Sequence, residues 1–219
     1  IANMESTDLR ALSTQTLRAF SSDQLAALTS DQMPQLTTQQ VAALTTAQIA
    51  SLSTDDLTAL STQQFAGMAT TQLRALTSDQ IVGFTTDQMG QLTTAQTASL
   101  TSSQIAALAT DDFAALATQH FAAMGTAQVA GFTTDQLAAI ESSDLAALGT
   151  RGMRALGTDQ IAALTSDGII ALTTAQAGSL TSAQVAGLGS DQIAALATDD
   201  LRAVGTAALR ALSTDQLAA

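Results

Sequence analysis

The chain of 219 residues contains no cysteine, lysine, tryptophan or tyrosine, one proline and only 3% aromatic residues. Without cysteine it can form neither disulfides nor thiolate metal sites. Charged residues make up 12% of the chain, and seven arginines against nineteen acidic residues give a net charge of −12. This charge argues against nucleic acid as a partner. Ser, Thr, Gln or Asp interrupts every apolar stretch, so the sequence predicts no membrane span, which needs ~18 apolar residues.

The chain is built from an eight-residue repeat, here called the octad. Octads run without insertion from Glu5 to Ala219, giving 26 complete units and one that lacks its last residue. Position two is Ser or Thr in all 27 octads, position eight is large and apolar in all 26, and position five is large and apolar in 25, Thr97 and Ala177 being the exceptions. The pattern predicts one continuous repeat array over residues 5–219, with residues 1–4 ending a preceding repeat of a longer protein.

The octad period excludes both uninterrupted secondary structures. In a continuous α-helix eight residues overshoot two turns by about 80°, so the apolar stripe would circle the helix. In a strand, positions five and eight would point to opposite faces. In a short helix these two positions share a face. We therefore predict an all-α solenoid, or superhelix, of very short helices, one per octad, stabilised by stacking because a single turn is not stable alone. The pattern leaves the handedness and the octads per turn open.

The sequence allows two positions for the helix N-cap. With position one as the cap, Thr45 and Gln48 form a capping box, and Leu44 and Ile49 a hydrophobic staple. With position two as the cap, at Thr46 or Thr158, its unbroken Ser/Thr identity is explained, and this alternative is slightly favoured. Glycines at position one would then close the preceding helix: Gly125, Gly149, Gly157, Gly189 and Gly205. The predicted structural residues are Leu28, Leu44, Ile49, Leu108, Ile161, Leu164, Thr46 and Thr158.

The repeat offers few residues for chemistry. His120, the only histidine, stands at position four, where Gln is usual, and is interpreted as a structural substitution, because no second histidine or cysteine completes a metal set or triad. Paired carboxylates are weak calcium candidates: Asp55, Asp56, Asp111, Asp112, Asp199 and Asp200. They are more simply acidic residues of a first helical turn. We predict no catalytic residue, no cofactor and no enzyme activity.

The octad is similar to a known type of repeat. The unit [ST]-[ST]-x-Gln-[LIV]-Ala-Ala-Leu resembles the Ala/Thr/Gln-rich octapeptide arrays of very long bacterial surface or secreted proteins, often labelled haem-utilisation or adhesion proteins. The resemblance covers Glu5 to Ala219. It implies an extracellular or cell-surface location. The haem label finds no support in the residues, because Tyr and Cys are absent and axial ligation would fall to His120 or a methionine.

Two functions follow from these observations. The first is a non-enzymatic spacer or stalk of a large surface or secreted adhesin-like protein, since the octads continue without insertions. Its partners would be flanking repeats or domains of the parent protein, with lateral self-association left open. The alternative is a binding module that holds a peptide, glycan or partner helix in the groove of the superhelix.

Overall fold

The structure, a computed structural model, describes residues 4–218. Of the predicted end of a preceding repeat, residues 1–4, all but Met4 lie outside the described part. Residues 4–218 contain helices and no strand, and each octad forms one short helix, as predicted. The helices are α1 Ser6–Ala11, α2 Thr14–Ala19, α3 Ser22–Ala26, the 3₁₀ helix η1 Met33–Gln35, α4 Thr38–Ala43, α5 Thr46–Ser51, α6 Thr54–Thr58, α7 Thr62–Ala66, α8 Thr70–Ala75, α9 Ser78–Val82, α10 Thr86–Gly90, α11 Thr94–Ser99, α12 Ser102–Ala107, α13 Thr110–Ala114, α14 Thr118–Ala123, α15 Thr126–Val129, α16 Thr134–Ala138, α17 Ser142–Ala147, α18 Gly149–Ala155, α19 Thr158–Ala162, α20 Ser166–Ile170, α21 Thr174–Ser179, α22 Ser182–Ala186, α23 Ser190–Ala195, α24 Thr198–Ala203, α25 Thr206–Leu209 and α26 Thr214–Leu217.

The helices group into two compact units, of which the first ends at Leu116 and the second begins at Ala117. Within each unit, a helix packs most closely on the helix three octads further along the chain. In the first unit α5 packs on α8 and α9 on α12, and in the second α18 packs on α21 and α21 on α24. Helices of four to seven residues are thereby stabilised by neighbouring turns, as in a solenoid.

The helix N-cap is position one, so the slight preference for position two was wrong. Thr45 has extended backbone angles, φ −74° and ψ 159°, and its hydroxyl accepts a hydrogen bond from the N–H of Gln48. Thr46 is the first helical residue and is exposed. The capping box fixes the boundary at position one because Gln48, the third helical residue, also accepts a hydrogen bond from the N–H of Thr45.

The glycines at position one also differ from the expectation. Gly125, Gly157, Gly189 and Gly205 have extended backbone angles and are the N-caps of the following helices, not the ends of the preceding ones. Glycine is acceptable there because it ranks among the N-cap residues. Gly149 alone has the left-handed conformation of a helix-closing glycine, with φ 62°, and it is the one such residue in the described chain.

Positions five and eight form the core. The position-five residues Ile49 and Ile161 are fully buried, and so are the two exceptions to the apolar rule, Thr97 and Ala177. The other predicted core residues, all at position eight, are also buried: Leu28, Leu44, Leu108 and Leu164. Pro34 stands at position six of the octad that forms η1, and the missing N–H of proline fits the shortened helix there.

Small residues at position seven let neighbouring turns approach. A Cβ atom on Gly83 would overlap the side chain of Thr54, which lies at position two three octads earlier. Gly67 faces Thr38 in the same way. In the second unit an added Cβ on Gly187 would lie 3.4 Å from the Cβ of Thr158. Position two therefore packs against position seven of a later octad, which accounts for a small side chain there.

Candidate functional site

The most regular polar feature of the structure is the side chain at position four, which is Gln in 17 of the 27 octads. Gln104 is representative. Its Oε1 accepts a hydrogen bond of 2.8 Å from the N–H of Thr101, its own N-cap. Its Nε2 donates to the carbonyl oxygens of Leu73 and Leu76, both at 2.8 Å. Those two carbonyls belong to the helix four octads earlier, so one side chain links the start of one helix to the end of another.

The same bridge recurs in both units. In the first, Gln72 donates to the carbonyls of Val41 and Leu44 at 2.9 and 2.8 Å. In the second, Gln184 donates to Met153 and Leu156, both at 2.7 Å. The N–H groups at the start of a helix and the carbonyls at its end have no partner inside the helix. The position-four glutamine supplies a partner to both kinds of group.

The capping half of this bridge was the less favoured of two alternatives in the sequence, and the half that joins two turns was not predicted. The signal was present in the frequency of Gln at position four, because a capping box alone is served equally well by Glu. Gln also carries two N–H donors. The bridge further sets the winding of each unit. Packing joins helices three octads apart, and the bridge joins helices four octads apart, so one turn takes between three and four octads.

Aspartate at position four makes a different contact. Asp112 is buried, and its carboxylate accepts a hydrogen bond of 3.0 Å from the hydroxyl of Thr86, at position two three octads earlier. Asp144 accepts from Thr118 at 2.7 Å in the same way. An ionised carboxylate has no donor for the carbonyls that Gln would reach. Burial raises the pKa of Asp112 above its ordinary value, the Thr86 hydroxyl lowers it, and the neighbouring Asp111 raises it further.

His120 takes the place of Gln in the capping half of the bridge. The residue is buried, and its Nδ1 accepts a hydrogen bond of 2.9 Å from the N–H of Ala117, the N-cap of α14. The ring nitrogen that accepts this bond carries no proton, so Nε2 carries the proton of the neutral ring. This geometry matches the interpretation of His120 as a structural substitution.

The paired aspartates do not converge. In each pair the second carboxylate is buried at position four, whereas the first is exposed, as seen for Asp55 beside the buried Asp56. Asp111 and Asp112 divide in the same way, and so do Asp199 and Asp200. Neighbouring helical side chains diverge by about 100°. Within residues 4–218 no group of three or more His, Cys, Asp or Glu side chains is arranged to hold a metal ion.

Arginines at position six lie on the outside of the helices. The Nε of Arg10 donates to the carbonyl oxygen of Gln35, 2.9 Å away. Arg202 forms an ion pair of 3.2 Å with Asp199, but both side chains are more than two-thirds exposed, at 75% and 79%. An exposed pair of this kind stabilises a protein by ~0–1 kcal/mol.

No helix in the described part of the chain is long and apolar enough to cross a bilayer. No curated protein sequence matches the chain. The family model described as the ALTTAQ repeat matches it eight times, at residues 1–38, 35–70, 52–86, 62–94, 105–140, 137–174, 169–198 and 193–219. Those six letters stand in the chain at residues 43–48 and again at 171–176. In the first they include the cap Thr45 and the bridging Gln48. Because the matches cover far more than half of its length, the chain belongs to the ALTTAQ repeat family.

Proposed function

We propose that this chain is a non-enzymatic spacer or stalk segment of a large bacterial surface or secreted adhesin-like protein. In this role it would join flanking repeats or domains of its parent protein outside the cell or at the cell surface. Support for a structural repeat comes from the family and from the stacked helices. The bacterial, adhesin-like and extracellular parts of the proposal rest on the resemblance of the octad to the Ala/Thr/Gln-rich arrays.

The observation that supports a spacer best is the repetition of one bond set. Gln48 bonds to its own cap and to the carbonyls of Leu17 and Phe20, and Gln104 and Gln184 make equivalent bonds far along the chain. Each of these octads carries its own glutamine and also the carbonyls that a later glutamine reaches. Whole octads are therefore interchangeable, and their number can change while the local structure stays the same.

Deletion of octads tests this proposal. Removing residues 85–100, two whole octads, brings the carbonyls of Leu57 and Leu60 into the position four octads before Gln104. We expect unchanged helicity per residue by circular dichroism and one cooperative unfolding transition. Removing residues 89–100 is the matched control. This deletion of one and a half octads shifts the repeat out of register, so it should reduce both the helicity per residue and the cooperativity of unfolding. Loss of folding in the two-octad deletion would contradict the spacer proposal.

The absence of catalysis is also part of the proposal. The side chains with the most reactive groups have structural partners: His120 caps α14, and Asp112 and Asp144 accept hydrogen bonds from threonine hydroxyls. The alternative, a binding module for a peptide, glycan or partner helix, is favoured by one observation. Residues 149–156 carry two arginines, and both arginines line a surface cleft.

A further inference from the structure

Residues 149–156, here called the arginine octad, depart from the repeat at several positions. Arg151 stands at position three and Gly152 at position four. Arg154 at position six gives this octad two of the seven arginines of the chain, the only octad with two. The spacer function requires none of these departures.

The backbone of the arginine octad is also unlike its neighbours. Leu148 is helical rather than extended, Gly149 has φ 62°, and α18 begins at position one instead of position two. Glycine readily adopts this left-handed backbone conformation because it has no Cβ. The result is that α18 follows α17 without the extended cap residue found at most other junctions.

Gly152 removes the bridging side chain from this octad. A glutamine at position four would reach toward the carbonyls of the helix four octads earlier, in the octad that ends at Met124. In the structure a cavity of about 330 Å³ lies there, lined by Met124, Gly152, Thr126, Thr150 and Arg151 among others. A Cβ on Gly152 would lie 2.8 Å from the Cβ of Leu148, so Leu148, which also lines this cavity, takes part of the space of a position-four side chain.

A second cavity of about 450 Å³ adjoins the first, and both arginines line it. Its lining is Thr126, Thr150, Arg151, Arg154 and Ala155. Arg151 and Arg154 are three residues apart on α18 and exposed, and α15, which begins at Thr126, packs on α18. Within the described residues no carboxylate lies within ion-pair distance of either guanidinium, whereas Arg202 has Asp199.

We infer that the cleft of the arginine octad binds a small molecule that carries a phosphate or sulfate group. Two guanidinium groups offer up to ten N–H donors and the two threonines two hydroxyls, more than the roughly four sites on a carboxylate accept. A tetrahedral oxyanion has three oxygens for such donors and is the group that paired arginines bind well. The cleft is open and both arginines are exposed, so a small group in solution reaches the two guanidinium groups directly. The net charge of −12 opposes a polyanion, so the ligand is small.

The test is an NMR titration of the full chain at constant ionic strength. Phosphate, sulfate, phenyl phosphate, phenyl sulfate and acetate are added separately, and the shifts of the amides of Thr126, Thr150 and Arg151 and of the Nε–H of Arg154 are followed. We expect saturable shifts with the tetrahedral anions and at least tenfold weaker binding of acetate. The two phenyl esters distinguish a phosphate ligand from a sulfate ligand.

Variants make the assignment specific. The double variant Arg151→Gln with Arg154→Gln should weaken binding at least tenfold. Arg18→Gln is the matched control, because Arg18 lines a comparable cavity of about 340 Å³ that holds no second arginine, and it should leave the affinity unchanged. Shifts that stay linear, equal affinity for acetate, or unchanged affinity in the double variant would each overturn the inference. The outcome is independent of the spacer proposal, which the octad deletions test.

Discussion

The side-chain nitrogen of Gln104 lies 2.8 Å from the carbonyl oxygen of Leu76, 28 residues earlier in the chain. The oxygen of the same amide lies 2.8 Å from the backbone nitrogen of Thr101. One side chain thus stabilises the N-terminus of its own helix and the C-terminus of another. Helices of four to seven residues are too short to persist alone, and this shared use of their end groups explains why glutamine recurs every eight residues.

Replacing one bridging glutamine should destabilise the protein measurably. Gln64 is buried and bonds to the cap Ser61 and to the carbonyls of Met33 and Leu36. Gln64→Ala removes these three hydrogen bonds and leaves the buried carbonyl of Leu36 without this donor, which costs ~1–3 kcal/mol of the free energy of unfolding. The measurement is urea unfolding followed by circular dichroism. Gln63→Ala, one residue earlier and exposed, is the control and should change stability by less than ~0.5 kcal/mol.

A core leucine at position eight should matter more. Leu108 has only 4% of its surface exposed, so Leu108→Ala removes packed methyl groups and leaves a cavity. We expect a loss of roughly 2–5 kcal/mol in the free energy of unfolding. Val82→Ala, at a site that is 57% exposed, should have little effect in the same denaturation experiment. A similar loss at both sites would contradict the assignment of position eight to the core.

The buried Asp112 predicts a pH-dependent stability. Its pKa is raised in the folded state, so the fold favours the protonated carboxyl. The stability contributed by this preference is fully present below the unfolded value, close to 3.8, and is lost as the pH rises through the folded pKa. Asp112→Asn should therefore have a higher Tm than the wild type at pH 7, and the difference should disappear as the pH falls below 3.8.

A matched control separates this effect from the general loss of negative charge. Asp79 stands at position three and is exposed. Asp79→Asn therefore removes one negative charge but no buried carboxyl group. Its Tm difference from the wild type should vary less with pH than that of Asp112→Asn. Equal pH profiles for the two variants would show that burial of Asp112 is not the cause.

The contact of Gly83 with Thr54 predicts a reversal of the usual effect of Gly→Ala. A Cβ on Gly83 would overlap the Cγ2 of Thr54, so Gly83→Ala should cost about 1–3 kcal/mol through overpacking. Adding Thr54→Ser should restore stability, because serine keeps the hydroxyl and lacks that methyl group. At Gly90, where the nearest atom to an added Cβ is 3.7 Å away, Ala should instead stabilise by ~0.5–1 kcal/mol. Thermal unfolding of the three variants and the wild type checks these expectations.

The helices could be predicted from the sequence because large apolar residues recur at positions five and eight of the octad. Their stacking could be predicted because such short helices are not stable without neighbours. The winding could not be predicted. The angle between consecutive helices depends on the extended residues at each junction, such as Leu44 with ψ 145° and Thr45 with ψ 159°, and many residue types adopt such angles. The unbroken Ser/Thr identity of position two favoured the wrong cap, because that position serves packing against position seven and hydrogen bonds to buried aspartates.

The arginine octad shows the same limit for the candidate site. Two arginines in one octad are visible in the sequence, but the cleft beside them depends on how α15 packs on α18. Thr126 and Arg151 lie three octads apart along the chain. Only the winding of the helices in the second compact unit brings them to one cavity. The sequence does not give the number of octads per turn, so it does not predict that these two residues lie together.

The most direct test of this account is to observe the bridge itself. In a chain with labelled glutamine side-chain nitrogen and leucine carbonyl carbon, NMR coupling across the hydrogen bond should connect Nε2 of Gln104 to the carbonyls of Leu73 and Leu76. Gln104→Ala should remove both signals and leave those of Gln72 and Gln184 unchanged. Couplings from Gln104 only to residues of its own octad, or to those three octads earlier, would contradict the bridge between turns.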